Sequence, residues 1–341
     1  MYKKQIPEIN ASIKKTRKAI ISLGCSFVQG QGAVDDVLYA DYKWEFVRLG
    51  TPLQLNVSKE ETEKLLKKYP ELLLKPDGSI DWTFMEYKNA FVEVLCKKYF
   101  NGEYTPINLG MRGNGNRGTI KDLYFYPEID WDNLDEIIVV YAPSGPERFD
   151  FVNDGWNDHH HFRCMWPNYK DMEPSPRKLL WEGYAKDLHS EKMVVLEQIA
   201  HVQELLTWCK VKNAKLIVTP AFDQRYNKEY FKESLLLNIH RTMNGVIEEK
   251  YYGPESLDRN VLNYLDLFPW DNVFLPDNYP TFVDLCLFQE SGLKKDVHHH
   301  FFQYLGTGSP DGWITSCAHP SAKGHDLFAK KLHEHITKGV K

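Results

Sequence analysis

The stretch "IISLGCSFVQGQG", Ile20 to Gly32, ends an apolar run in Gly24-Cys25-Ser26-Phe27 and passes into a glycine-rich segment. A thiol and a hydroxyl side by side at the end of a buried strand are two candidate nucleophiles, because open α/β sheets present their ligands to the carboxyl ends of the strands. A thiolate is intrinsically the stronger of the two, and a strand-to-helix turn lowers its pKa, which speaks for Cys25. The competing reading of the same turn is a cradle of backbone N–H groups for phosphate. Neither the G-x-x-x-x-G-K-[ST] pattern nor dinucleotide spacing is present, so that reading ranks second.

Three further stretches carry chemistry at the ends of apolar runs: Asn108-Leu109-Gly110-Met111-Arg112-Gly113-Asn114-Gly115-Asn116, Ala142-Pro143-Ser144-Gly145 and Cys317-Ala318-His319-Pro320-Ser321. Two triple-histidine runs, His159-His160-His161 and His298-His299-His300, invite a metal reading. Adjacent residues on an extended chain point to opposite sides, so each run offers at most two ligands, His159 with His161 or His298 with His300, and Asp158 or Asp296 would have to join. The expectation is loop histidines, with no metal and no cofactor. Glu147-Arg148 and Asp223-Arg225 follow apolar runs and read either as recognition of polar substrate groups or as surface ion pairs.

The elements that must position these residues alternate. Ala19–Leu23, Pro106–Leu109, Glu136–Tyr141, Lys215–Thr219 and Asn272–Leu275 are short, rich in branched residues and bounded by turns, as buried strands are. Helical spacing covers Trp82–Tyr99, Lys186–Lys212 and Ala322–Thr337, the last capped by Ser321. Strands alternating with helices predict a parallel, doubly wound sheet. Residues 33–80, 145–185, 225–270 and 277–316 are too long for plain connections and read as insertions in one domain spanning residues 1–341. Their aromatics (Trp156, Trp166, Tyr169, Trp181) serve either as insertion cores or as platforms for sugar rings or an assembly partner.

Bulk properties exclude several classes. The net charge of −5 opposes a dedicated nucleic-acid binder, and the basic residues before Ala19 read as a solvated lead-in to the first strand. Six scattered cysteines without a C-x-x-C pair suggest neither a zinc ribbon nor a disulfide framework. No apolar window has membrane-spanning length and no signal peptide is evident, so the expected setting is cytoplasmic, without membrane partners.

Taken in order, Gly24-Cys25-Ser26-Phe27, the Asn108 to Gly113 block and His319-Pro320 resemble the SGNH (GDSL-type) hydrolase superfamily. The resemblance implies a flavodoxin-like three-layer α/β/α sandwich with a parallel five-stranded sheet. It implies a serine esterase or deacetylase acting on an ester or acetyl group, on a small molecule or a glycan, with Ser26 as nucleophile and His319 as its base. Cys25 falls on the family's variable position, which favours Ser26. The oxyanion donors carried over are the backbone N–H groups of Ser26 and Gly113; losing one such donor typically costs about 10²- to 10³-fold in rate.

Two positions depart from the family's pattern. The third block lacks its asparagine, leaving Ser144 as the substitute donor, and the acid three residues before the histidine is replaced by Ser316, leaving Asp311 as the nearest upstream carboxylate. Those departures keep open a non-catalytic SGNH-like structural or interaction protein. The resemblance also suggests a phage origin, with a place in the virion.

Overall fold

The structure, a computed structural model, describes residues 5–33, 59–68, 82–111, 115–124, 126–145, 148–152, 162–165, 191–236, 239–241, 247–249, 259–290, 301–304, 307–315 and 318–339. The protein is an α/β chain built on a parallel sheet with helices on both faces. Four strands, β1 (Lys18–Gly24), β2 (Thr105–Asn108), β3 (Glu136–Ala142) and β6 (Lys215–Val218), pair in the order β2-β1-β3-β6. Two small antiparallel hairpins, β4 (Phe149–Val152) with β5 (Phe162–Met165) and β7 (Ile239–Arg241) with β8 (Ile247–Glu249), stand apart from it.

The period-two alternation of a strand divides the core into two. Ala19, Ile21 and Leu23 of β1 and Ile137, Val139 and Tyr141 of β3 face one layer, packed with Val195, Ile199 and Leu205 of the long helix Glu191–Val211. Ile20, Ile138 and Val140 face the other, packed with Phe91, Phe282, Phe328 and Leu332. Each of the Val, Leu, Ile and Phe side chains contributes about 1.5–3 kcal/mol when fully buried, so the sheet is pinned from both sides.

Among the described residues the sheet has four strands rather than the expected five. Asn272–Leu275 lies along β6 but makes only one bridge, Val218 to Val273, between 3₁₀ turns at Trp270–Asn272 and Pro276–Asn278. The Asn272 side-chain amide donates to the Leu216 carbonyl at 2.8 Å and the Phe274 N–H to the Val218 carbonyl at 2.8 Å, so these carbonyls of β6 are satisfied without a regular ladder.

The basic N-terminal segment holds more than a solvated lead-in. Ile6–Thr16 forms helix α1, with Pro7 and Glu8 in its first turn and Lys14 and Lys15 in its last, the charge order that complements the helix dipole. Trp82–Tyr99 breaks into α-helices Trp82–Asn89 and Phe91–Val94 and a π-helical turn Leu95–Tyr99. Ala322–Thr337 forms as expected, its Ser321 hydroxyl accepting the Gly324 N–H. Among the described residues no helix is long and apolar enough to cross a membrane.

Candidate functional site

Strand β1 delivers the Gly24-Cys25-Ser26-Phe27 turn to the carboxyl edge of the sheet, between β2 and β3, where the strand order reverses. A Cβ on Gly24 would lie 2.2 Å from Val28 Cγ2 and 2.7 Å from the Ala142 carbonyl, so only glycine lets the chain fold straight back over β3. Cys25 is extended and the short helix α2, Ser26–Gln29, begins at once. Cys25 is fully buried in the second core cluster, which shields its thiol. Ser26 is 5 % exposed, and its Oγ lies 2.8 Å from Nε2 of His319, a residue 293 positions away in the chain.

His319 is presented by a tight turn before the last helix. Ile314 bridges Pro320, while the Thr315 N–H and hydroxyl both donate to the His319 carbonyl at 2.8 and 3.0 Å. Ala318 adopts φ 60°, a left-handed conformation that costs a non-glycine residue about 1–2 kcal/mol. Upstream, the buried Glu290 carboxylate gathers the loop by accepting the N–H groups of Asp311 at 2.9 Å and Trp313 at 3.1 Å, together with the Ser309 hydroxyl.

The glycine-rich segment after α2 completes this fit. Gly32, at φ 93°, passes so close that a Cβ there would stand 2.8 Å from the Pro320 carbonyl and 3.0 Å from His319 Cβ. The His319 ring itself stacks on Phe27 at 4.4 Å between centroids. Ser26 and His319 are therefore held between α2, the glycines after it, and the residues Ile314, Thr315 and Ala318 to Pro320.

Two asparagines brace the edge. The Asn108 amide donates to the Val28 and Gln29 carbonyls at 3.1 and 3.4 Å, and its Oδ1 accepts the Gly110 N–H at 2.9 Å, clamping the end of α2 to β2. Asn116 occupies a buried network with Ser144, Gln198 and Tyr226. Its Oδ1 accepts both the N–H of Ser144 at 2.8 Å and the Ser144 hydroxyl at 3.2 Å, so these two donors of Ser144 are engaged away from an oxyanion.

Charged and titratable groups surround the pair. His325 is fully buried, its Nδ1 accepting the Phe91 N–H at 3.1 Å. Burial, and then the nearby His319, press its pKa down from 6.5 to about 3, so it stays neutral beside the catalytic candidate. The Arg148 guanidinium carbon sits 5.2 Å from the centre of the Phe222 ring, which in turn lies 4.8 Å from Phe27. Arg225 instead grips its own loop, with Nε and Nη2 on Asp223 at 2.9 and 2.5 Å.

The structure thus brings Ser26 and His319 together and puts Ser144 and Arg148 at the same edge. Asp311 is exposed, held through its N–H by Glu290 and through its carbonyl by Lys323 at 3.0 Å. Gly113, Ser316, Glu147, Asp158, Asp296 and both triple-histidine runs, with His159, His161, His298 and His300, lie outside the described residues. Among the described residues no group of three or more His, Cys, Asp and Glu side chains is placed to hold a metal ion. Sequence reasoning singled out the stretches ending in Asn116 and Gly32 without assigning these residues a role, and missed Glu290; all three act by bracing. Gly32 had a signal in the Gly30-Gln31-Gly32 run and Asn116 one in the Asn/Gly-rich stretch after β2; Glu290 had none. Comparison with family models, curated proteins and solved structures finds no match for this chain.

Proposed function

We propose that the protein is a serine hydrolase of SGNH type, with a flavodoxin-like arrangement of its strands, that cleaves a carboxylic ester or an acetyl group. The observation that carries this reading is the 2.8 Å contact between Ser26 Oγ and His319 Nε2 at the carboxyl edge of the sheet, the distance at which a base takes a hydroxyl proton. In the reaction His319 Nε2 accepts the proton as Ser26 Oγ attacks the carbonyl carbon. The negative charge that develops on the carbonyl oxygen falls beside the N–H of Ser26, at the first position of α2, where a helix leaves its N–H groups without intrahelical partners. The imidazolium then protonates the departing alcohol, and water, deprotonated by the same Nε2, releases the acid. Gly113 is the second oxyanion donor in this scheme and Asp311 the carboxylate to orient His319. A small-molecule or glycan ester is the proposed substrate.

One observation favours a second reading, a non-catalytic SGNH-like module such as a phage component: Ser144, the substitute for the missing third-block asparagine, gives its N–H and hydroxyl to Asn116. A fluorophosphonate probe separates the two. Covalent labelling that is lost in both Ser26→Ala and His319→Ala supports the hydrolase. Absence of labelling between pH 6 and pH 9 refutes it, and labelling that maps to Cys25 replaces it with a thiol enzyme.

A further inference from the structure

We propose that Phe27 is a positioning residue for His319: its ring face fixes the plane of the imidazole and favours the imidazolium formed when Nε2 takes the Ser26 proton. The inference deepens the hydrolase reading above and rests on it. His319 and Phe27 stack with their centroids 4.4 Å apart and their planes 29° from parallel. Phe222 packs on Phe27 at 4.8 Å, so the ring that receives the imidazole is itself held by a neighbour. Phe27 is 3 % exposed, so water does little to screen the contact.

Adjacent places in the chain make the arrangement. Ser26 and Phe27 are the first two residues of α2, so one short helix presents both the nucleophile and the surface on which its base lies. The last side-chain torsion of a histidine is broad. A ring lying against the imidazole narrows it to orientations that keep Nε2 on Ser26 Oγ, 2.8 Å away. The face of a phenyl ring carries negative potential and attracts a cation within about 6 Å of its centroid. Neutral imidazole gains little from that face, and imidazolium gains more. An interaction that strengthens as the proton passes from Ser26 Oγ to His319 Nε2 lowers the barrier, whereas one equal in both states does not. The titratable and charged groups around the base come from several elements: Cys25 and Ser26 from the start of α2, His325 from the helix Ala322–Thr337, Glu290 and Asp311 from the segments before His319, and Arg148 from over Phe222. Changing the electron density of the Phe27 ring alters none of them.

The test changes the ring face and keeps the ring's shape. Phe27 is replaced by 4-fluorophenylalanine and by 3,4,5-trifluorophenylalanine, in which fluorine draws charge away from the face. The His319 ring is titrated by NMR of its labelled Cε1, assigned against His319→Gln, and the rate of fluorophosphonate labelling of Ser26 is measured across the same pH range. The His319 midpoint is expected to fall by about 0.5 to 1 unit in the trifluoro protein, the size of one cation–π contact, with the 4-fluoro protein between it and the wild type. Labelling above the midpoint slows in the same order, by about three- to tenfold in the trifluoro protein, since one unit is a factor of ten. A packing role alone moves neither quantity. An unchanged or raised midpoint overturns the proposal while normal labelling leaves the hydrolase intact, and a fallen midpoint with an unchanged labelling rate overturns it too. Absence of labelling in the wild type overturns the hydrolase reading and the role of Phe27 within it. Should the trifluoro protein fail to fold, the midpoint of the 4-fluoro protein decides by the same criterion.

Discussion

Substituting Gly32 by alanine tests whether the glycine-rich segment exists to make room for His319. Two costs are expected. A side chain at φ 93° is strained by about 1–2 kcal/mol. The added methyl also meets the Pro320 carbonyl at 2.8 Å, Thr315 Oγ1 at 2.9 Å and His319 Cβ at 3.0 Å, two of the three belonging to parts of the turn with little freedom to yield. Overpacking of this kind costs about 1–3 kcal/mol, and the lower entropy of the unfolded alanine chain returns about 0.4–1 kcal/mol. Gly102 provides the control, because it has φ 79° and nothing within 4 Å of its added Cβ, so Gly102→Ala carries the strain without the collision. The expected loss in urea unfolding is about 2–4 kcal/mol for Gly32→Ala and about 1 kcal/mol for Gly102→Ala. Shifting His319 by a fraction of an ångström should also slow fluorophosphonate labelling of Ser26 by one to two orders of magnitude, since misplacement by about 1 Å costs about 10²-fold. Equal stability losses in the two variants, or wild-type labelling in Gly32→Ala, would refute the argument.

Asn108→Ala strands the buried Gly110 N–H and loosens the Val28 carbonyl, so it should cost about 1–3 kcal/mol in urea unfolding and slow Ser26 labelling. Ala318→Gly relieves the left-handed strain and is expected to hold stability within about 1 kcal/mol, whereas Ala318→Val, branched at Cβ and fully buried, should lose more than about 2 kcal/mol by the same measurement. Burial holds His201 at about 4 and His325 at about 3, below the unfolded value of 6.5, so the unfolded chain takes up their protons first as pH falls. Stability is then fully present above about pH 6.5 and declines by about 1.4 kcal/mol per pH unit for each histidine towards those lower values. His325→Gln, which retains an acceptor for the Phe91 N–H, should remove close to half of that slope between pH 4.5 and 6, and an unchanged slope would contradict the assignment.

What was legible in the sequence was what local pattern encodes. The strands at Lys18–Gly24 and Glu136–Ala142 are unbroken apolar runs because they are buried on both faces, and Ser321 announces Ala322–Thr337 by its capping hydroxyl. Asn272–Leu275 has a strand-like composition, but its hydrogen bonds to β6 come partly from a side chain, and composition is blind to that difference. The breaks in Trp82–Tyr99 lie inside a good helical period, where apolar spacing says nothing about a π-turn. At the site, Ser26 and His319 were nameable through the family resemblance, which already set Cys25 second, and the burial of Cys25 adds a physical reason for that order. The braces Asn116 and Glu290 work through contacts to residues distant in sequence, which no spacing rule reveals.

The separation of 293 positions between Ser26 and His319 has a consequence for synthesis. At about 5–20 residues per second, roughly 15–60 seconds pass between the appearance of the hydroxyl and that of its base. Through that interval Ser26 has no histidine beside it, so under the proposed hydrolase reading it is an ordinary serine. On that reading the contact can form only after all four strands of the sheet have been synthesised, since His319 follows β6 in the chain.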